Sequence, residues 1–127
     1  MIIDLNDDPS ERIEAEKLGI HYQGLRVEDP PERAENVVEI FHRVQDIVEK
    51  EIERGGRVYL HCTAGQQRSP TCAMAYLMTT GQKKETAIRN VRAARLGVWA
   101  GPVRVRLWET ALDLWDRELS GKTKRKQ

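Results

Sequence analysis

No stretch of this chain is apolar for long enough to span a bilayer, and residues 1 to 20 carry acids where a secretory signal needs a basic start and an apolar centre. The expectation is a cytoplasmic protein with no membrane partner. An excess of charge is missing too. Lys and Arg total 21 against 20 Asp and Glu, so no global field draws in nucleic acid or an anionic membrane, and any partner has to be recognised locally. Cysteine is scarce: two in 127 residues exclude a disulfide framework and leave two free thiols expected in a reducing compartment. His21, His42, Cys62 and Cys72 show none of the close ligand pairs that a zinc site needs. Repeats, linkers and low-complexity inserts are absent as well, so the expectation is one domain with one core, residues 1–120, and a basic flexible tail, residues 121–127.

What is present is an alternation of short apolar runs and helical patterns. "MIIDL" predicts a strand, and "NDDPSERIEAEKLG" predicts a helix with an acid before Pro9 at its start and Gly19 at its end. "IHYQGLRV" predicts a second strand, and "EDPPE" breaks regular structure because paired prolines supply no amide donors. From about Arg33 to Arg54 the set Val37, Ile40, Phe41, Val44, Val48 and Ile52 recurs at helical spacing, and Gly55-Gly56 ends it. "RVYLH" predicts a third strand. Helices then follow at about 68–80, 83–95 and 103–119, the last with Val105, Trp108, Ala111, Leu112, Trp115 and Leu119 on one face. The predicted class is α/β, a small and mainly parallel sheet flanked by helices.

In such sheets ligands bind at the carboxyl ends of the strands, and Cys62 stands where "RVYLH" ends. The loop "TAGQQ" has Gly65 for close backbone approach and opens into a helix near Arg68. Inward-pointing amides of a tight loop, added to a helix N-terminus, make a nest for an anion of phosphate size. The same field favours thiolate over thiol, and Arg68 adds a bidentate positive fork suited to phosphate oxygens. A thiolate at the bottom of an oxyanion cradle is a nucleophile aimed at phosphorus. Cys72, by contrast, lies on the apolar helix with Ala73, Tyr76 and Leu77 and reads as core, while His21 and His42 read as surface or strand residues.

"HCTAGQQRSPT" resembles the signature of the cysteine-dependent protein tyrosine phosphatase superfamily, and its "AG" and "RSPT" elements, with "AYLM" beyond, are more similar to the compact dual-specificity branch. "GIHYQGLRVEDPPE" is similar to the strand and acid-bearing loop of that branch, and "RNVRAARLGVWAGP" to its later arginine-rich helix and turn, so the resemblance covers about Ile2 to Leu119. It implies that Cys62 attacks phosphorus, Arg68 clamps two phosphoryl oxygens, Ser69 hydrogen-bonds the sulfur as leaving group, and His61 buttresses the loop. The amides of Thr63, Ala64, Gly65, Gln66 and Gln67 would bind the equatorial oxygens. It implies no metal and no other cofactor. Asp29 fits the spacing of the family's general acid, with Pro30 and Pro31 stiffening its loop and Glu28 the competing candidate.

The resemblance implies a phosphate monoester hydrolase acting on phosphorylated proteins or another phosphoester. The alternatives are a phospho-binding pseudophosphatase, a phosphatase of a non-protein substrate such as phosphoglucan, and an arsenate reductase or sulfurtransferase, for the former of which only Cys72 could serve as resolving thiol. Neutral Gln66 and Gln67 give no support to an inositide substrate. The chain begins at "MIIDL", similar to the third strand of the usual dual-specificity domain, so the implied fold is a minimal one lacking the first strands. The strand ending at His61 would then be an edge that a second copy or a partner chain could cover. Trp99, in the turn "GVWAGP", has two readings. It is either a hydrophobic plug or, as "HCTAG" and the aromatic position of glucan phosphatases suggest, a substrate-binding platform at the rim, although Gln67 and Pro30 depart from that subgroup.

Overall fold

The computed structural model describes residues 1–28, 31–62, 67–95, 98–99 and 102–126, with side chains throughout except at 102–105 and 122–126. Three strands and five helices follow one another along the described residues: β1 (Ile2–Asp4), α1 (Pro9–Lys17), β2 (Tyr22–Gly24), α2 (Ala34–Glu53), β3 (Tyr59–His61), α3 (Arg68–Thr79), α4 (Lys84–Ala94) and α5 (Pro102–Lys126). Every strand and helix expected from the pattern is present. The strands form one parallel sheet in the order β2-β1-β3, with Ile2 opposite both Tyr22 and Tyr59.

Local chemistry explains the element ends. Asp8 caps α1 by accepting a hydrogen bond from the Ser10 amide at 2.9 Å, and Pro9, which has no amide to satisfy, occupies the first turn. At the end of α2 the Gly55 amide donates to Ile52 O at 2.8 Å and the Gly56 amide to Glu51 O at 2.9 Å. That is a Schellman closure, and Gly55 takes the left-handed backbone it requires, at φ +82°. Gly24 lies against the partly exposed Asp7 side chain, whose carboxylate would have to move aside for a Cβ there. β2 is shorter than the apolar run suggests. Past Gly24 the chain still hydrogen-bonds beside β1, from Leu25 N to Asp4 O at 2.9 Å and from Val27 N to Leu5 O at 3.1 Å.

Alternation along β1 sends Ile3 and Leu5 to one face and Asp4 to the other, and all three are buried because β1 is the central strand. α2, α3 and α5 pack against one another, α4 packs on α3 and α5, α3 on β3 and α1 on β2. The core is built from Val37, Phe41 and Val44 of α2, Met74 and Ala75 of α3, and Trp108, Ala111, Leu112 and Trp115 of α5. Lys84 fastens α4 to α5 with its ammonium 2.6 Å from Asp113 and 3.4 Å from Glu109, and the hydrogen bond it donates to Asp113 chiefly raises its pKa.

Two details differ from the sequence reading. Ile52 is 52% exposed, because the last turn of α2 runs past the elements it packs on. The backbone of residues 121–126 continues α5 to Lys126, so the basic segment read as a separate tail is the end of that helix. Lys and Arg are good helix formers and suit the negative end of the dipole, while one glycine in a helix costs only about 1 kcal/mol.

Candidate active site at the end of the third strand

Cys62 leaves the carboxyl end of β3 and is only 8% exposed. Its Sγ lies 3.3 Å from Ser69 Oγ and accepts the Ser69 amide at 3.5 Å. The return of the chain from β3 into α3 thus folds a hydroxyl and an amide of the helix N-terminus back onto the sulfur. A thiolate is stabilised by such donors. Arg68 opens α3, and its Nη1 donates to Val27 O at 3.1 Å, a residue from the segment that follows β2. Asn6, Arg26, Val27, Glu28 and Arg68 line a cavity of about 290 Å³. These residues come from the segments just beyond β1 and β2 and from the start of α3, so the cavity sits at the carboxyl ends of the strands, where a parallel sheet leaves amides and loops facing outward.

His61 sits on a charged support that the sequence reading did not include. Its Nε2 is 2.6 Å from Glu11 Oε2 and 3.8 Å from Asp4 Oδ1, and its ring stacks on Tyr59. Asp4 is fully buried, yet its carboxylate accepts from the Asn6 amide at 2.9 Å, the Asp8 amide at 2.9 Å and Tyr22 Oη at 2.5 Å. Burial pushes the Asp4 carboxyl up, but these hydrogen bonds together outweigh it and hold it below the usual carboxylate range. Tyr22 moves the other way, raised by burial and by the Asp4 carboxylate it bonds. His61 is thus tied to α1 and β1. Asp4, Glu11 and His61 also bring one ligand atom each within 4.8 Å of one another. Both Asp4 oxygens are engaged with amides and a hydroxyl, which favours a hydrogen-bonded support over a cation site. An acid inside "MIIDL" was the available signal, since a carboxylate in an apolar strand has to be paired.

The remaining predicted residues divide three ways. Cys62 and Ser69 are in contact, His61 directly precedes Cys62 at the end of β3, Arg68 opens α3, and Gln67 is buried directly before Arg68. Asp29, Thr63, Ala64, Gly65 and Gln66 lie outside the described residues, as does Pro30. Glu28, the rival acid, is exposed and paired with Arg26 at 3.2 Å beside the cavity. Trp99 corrects the platform reading. It is 5% exposed and its indole Nε1 donates to buried Thr71 Oγ1 at 2.8 Å, so its ring is a plug between the last turn and α3 and offers no stacking face at the rim. A platform needs an open ring face, and the core takes this one.

Cys72 is buried in α3, and burial pushes its thiol up to about 12, with a lesser contribution from Cys62. Some four pH units below that value, roughly one Cys72 in 10⁴ is a thiolate. Iodoacetamide at pH 8 should therefore label Cys62 and leave Cys72 unmodified until the protein unfolds, as followed by peptide mapping. Rapid labelling of Cys72 in native protein, or a Cys62–Cys72 disulfide after peroxide, would remove it from the core.

The chain is similar to known proteins. Residues 1–102 match the family model described as dual specificity phosphatase, catalytic domain. Human dual specificity protein phosphatase 5 is 41% identical over 63 residues, which are 50% of this chain and 16% of that protein. Protein-tyrosine-phosphatase MKP1 of Arabidopsis thaliana is 36% identical over 75 residues, 58% of this chain and 9% of that protein. The chain thus spans a small part of the length of these relatives. Among solved structures, human DUSP28 superposes with a TM-score of 0.75 at 19% identity, covering 95% of this chain and 79% of that one. PTPMT1 superposes with a TM-score of 0.74 at 23% identity, covering 98% and 80%.

Proposed function

Since the chain belongs to the dual specificity phosphatase catalytic-domain family, we propose that it hydrolyses phosphate monoesters through a phosphocysteine on Cys62, with phosphotyrosine or phosphoserine and phosphothreonine proteins as substrates. The observation that carries the reading is the contact of a thiol with a hydroxyl at the start of the helix that Arg68 opens: Cys62 Sγ lies 3.3 Å from Ser69 Oγ, and Arg68, directly before Ser69, lines a cavity at the carboxyl ends of the strands.

The steps are those that the family's pattern implies for these residues. The Cys62 thiolate attacks phosphorus, the bond from phosphorus to the ester oxygen breaks, and Asp29 gives the departing oxygen its proton. Arg68 and the loop amides hold the phosphoryl oxygens through both steps. Water then attacks the phosphocysteine and passes its proton to the Asp29 carboxylate. The sulfur leaves as a thiolate, its charge met by the Ser69 hydroxyl and amide, and inorganic phosphate is released. The Glu11–His61 pair keeps the end of β3 in place beneath the nucleophile.

The test is release of p-nitrophenol from its phosphate ester in the presence of a chelator, with a rate that is bell-shaped in pH and highest on the acidic side of neutral. Asp29→Asn should flatten the basic limb, and should cost more with alkyl than with activated aryl phosphates, whose leaving groups need the proton less. The same pattern from Glu28→Gln and not from Asp29→Asn moves the acid one residue. A protein that binds phosphate and turns over none of a panel of phosphopeptides, phosphoglucan and aryl phosphates is the pseudophosphatase instead.

Among the described residues no helix is long and apolar enough to cross a membrane. Cys62 and Cys72 are both free, as a reducing cytoplasm would keep them. β3 is an edge strand with Tyr59 65% exposed, and it is the surface at which a second copy or partner chain would pair.

A further inference from the structure

We propose that Trp99 is a positioning residue for this reaction: through the Thr71 hydroxyl it fixes the peptide plane between Gln67 and Arg68, and with it the Arg68 N–H that follows the cradle amides. The inference rests on the phosphatase reading for its chemistry and on three buried groups for its geometry. Trp99 Nε1 donates to Thr71 Oγ1 at 2.8 Å, and Thr71 Oγ1 donates to Gln67 O at 2.6 Å. Gln67 O also accepts the Thr71 amide at 3.2 Å. Thr71 is fully buried, Gln67 and Trp99 nearly so.

A threonine hydroxyl has one proton and two lone pairs. Here the proton goes to Gln67 O and a lone pair receives the indole. Threonine in a helix can choose between two rotamers, and the one that bonds back to the carbonyl four residues earlier is also the one that turns its oxygen toward Trp99. The indole thus selects that rotamer. Trp99 makes the contact from a left-handed backbone, φ +60°, where a bulky residue is strained. The surroundings must hold it there, and burial of the ring together with the Thr71 bond are what the structure supplies.

The consequence lies across a rigid peptide. Gln67 O is drawn down into α3 by two donors of one residue. Because a peptide is planar and trans, the N–H of Arg68 in the same plane points the opposite way, out of the N-terminal end of α3. Arg68 and Ser69 then leave from a fixed plane, and the Ser69 amide and hydroxyl reach Cys62 Sγ at 3.5 and 3.3 Å. The turn after α4 therefore acts on the nucleophile's surroundings without touching substrate.

Three variants separate this role from packing alone. Thr71→Val keeps the shape and removes the hydroxyl, Trp99→Phe keeps an aromatic ring and removes the N–H, and Thr71→Ser keeps the hydroxyl. Thr71→Val and Trp99→Phe should each lower kcat/KM for an aryl phosphate about tenfold, the order of one buried hydrogen bond, and weaken inorganic phosphate binding by a similar factor. The double variant should be no worse than Thr71→Val, and Thr71→Ser should stay within about twofold of the parent, because serine restores the same chain of donors. The pH inflection of Cys62 alkylation by iodoacetamide should move upward in Thr71→Val, a change that a purely structural role does not produce. Lowered melting temperatures with unchanged phosphate affinity and unchanged inflection in both variants overturn the proposal. If Thr71→Val does not fold, Trp99→Phe decides by the same two measurements. Phosphate binding and alkylation need no turnover. A parent that binds phosphate and hydrolyses nothing sinks the phosphatase reading alone, whereas unchanged affinity in the variants of an active parent sinks this inference alone. A parent without phosphate affinity sinks both.

Discussion

Cys62→Ser should lower kcat by about five orders of magnitude, the scale on which a covalent catalyst loses rate when its nucleophile is removed. A serine hydroxyl in the same place ionises far less readily than a thiol, and a cradle tuned to a thiolate does not supply the base that serine would need. The variant should still bind inorganic phosphate or tungstate, because Arg68 and the loop amides are untouched and Ser69 keeps its place on α3. Titration calorimetry on the variant, beside initial rates with an aryl phosphate, measures both halves. Hydrolysis undiminished by Cys62→Ser would put the nucleophile elsewhere and end the phosphocysteine mechanism.

The largest loss of stability is expected at Trp115. Its ring is fully buried, meets Phe41 edge-on at 5.7 Å and His42 at 4.7 Å between centroids, and its Nε1 donates to Ala75 O at 2.9 Å. One side chain of α5 therefore closes the contacts to α2 and α3 together. Trp115→Ala leaves a cavity of indole size, at a cost of about 3–5 kcal/mol from the truncation alone. That is a large share of the about 5–15 kcal/mol that ordinarily holds a domain together. The urea midpoint should fall accordingly, and Trp115→Phe, which restores part of the volume, should recover a good part of it. A midpoint for Trp115→Ala within experimental scatter of the parent would mean that α5 is not seated as described.

How much of this was legible in the sequence follows from the distance over which each signal acts. The site residues Cys62, Arg68 and Ser69 lie within one loop and one helix turn, so their spacing alone announced an anion cradle. The same holds for α2, whose apolar period and terminal glycine pair fixed its face and its end. The support beneath His61 was out of reach, because Glu11 is 50 residues away in the chain and only the crossing of α1 over the sheet brings the two to 2.6 Å. Trp99 belongs to no period and sits at a backbone angle that no propensity favours, so burial against Thr71 could not be read from the turn "GVWAGP". α5 outran its apolar stripe because charged residues with good helix propensity carry it past Gly121.

The order of strands also sets an order of events. Parallel neighbours cannot be joined by a tight turn, so β1 meets β2 only across α1, and meets β3 only after α1, β2 and α2 have all been placed. Contacts of such long sequence separation form late and slowly. During synthesis β1 and β2 can pair while the opposite edge of β1 waits for Tyr59 to arrive, an apolar strand with one side unmatched and prone to the wrong neighbour. Cys62, the proposed nucleophile, is the residue immediately behind that last strand. A nascent chain therefore acquires its reactive centre only as the sheet is completed, and a partly folded molecule carries an ordinary cysteine, shielded from chemistry by the lateness of its own surroundings.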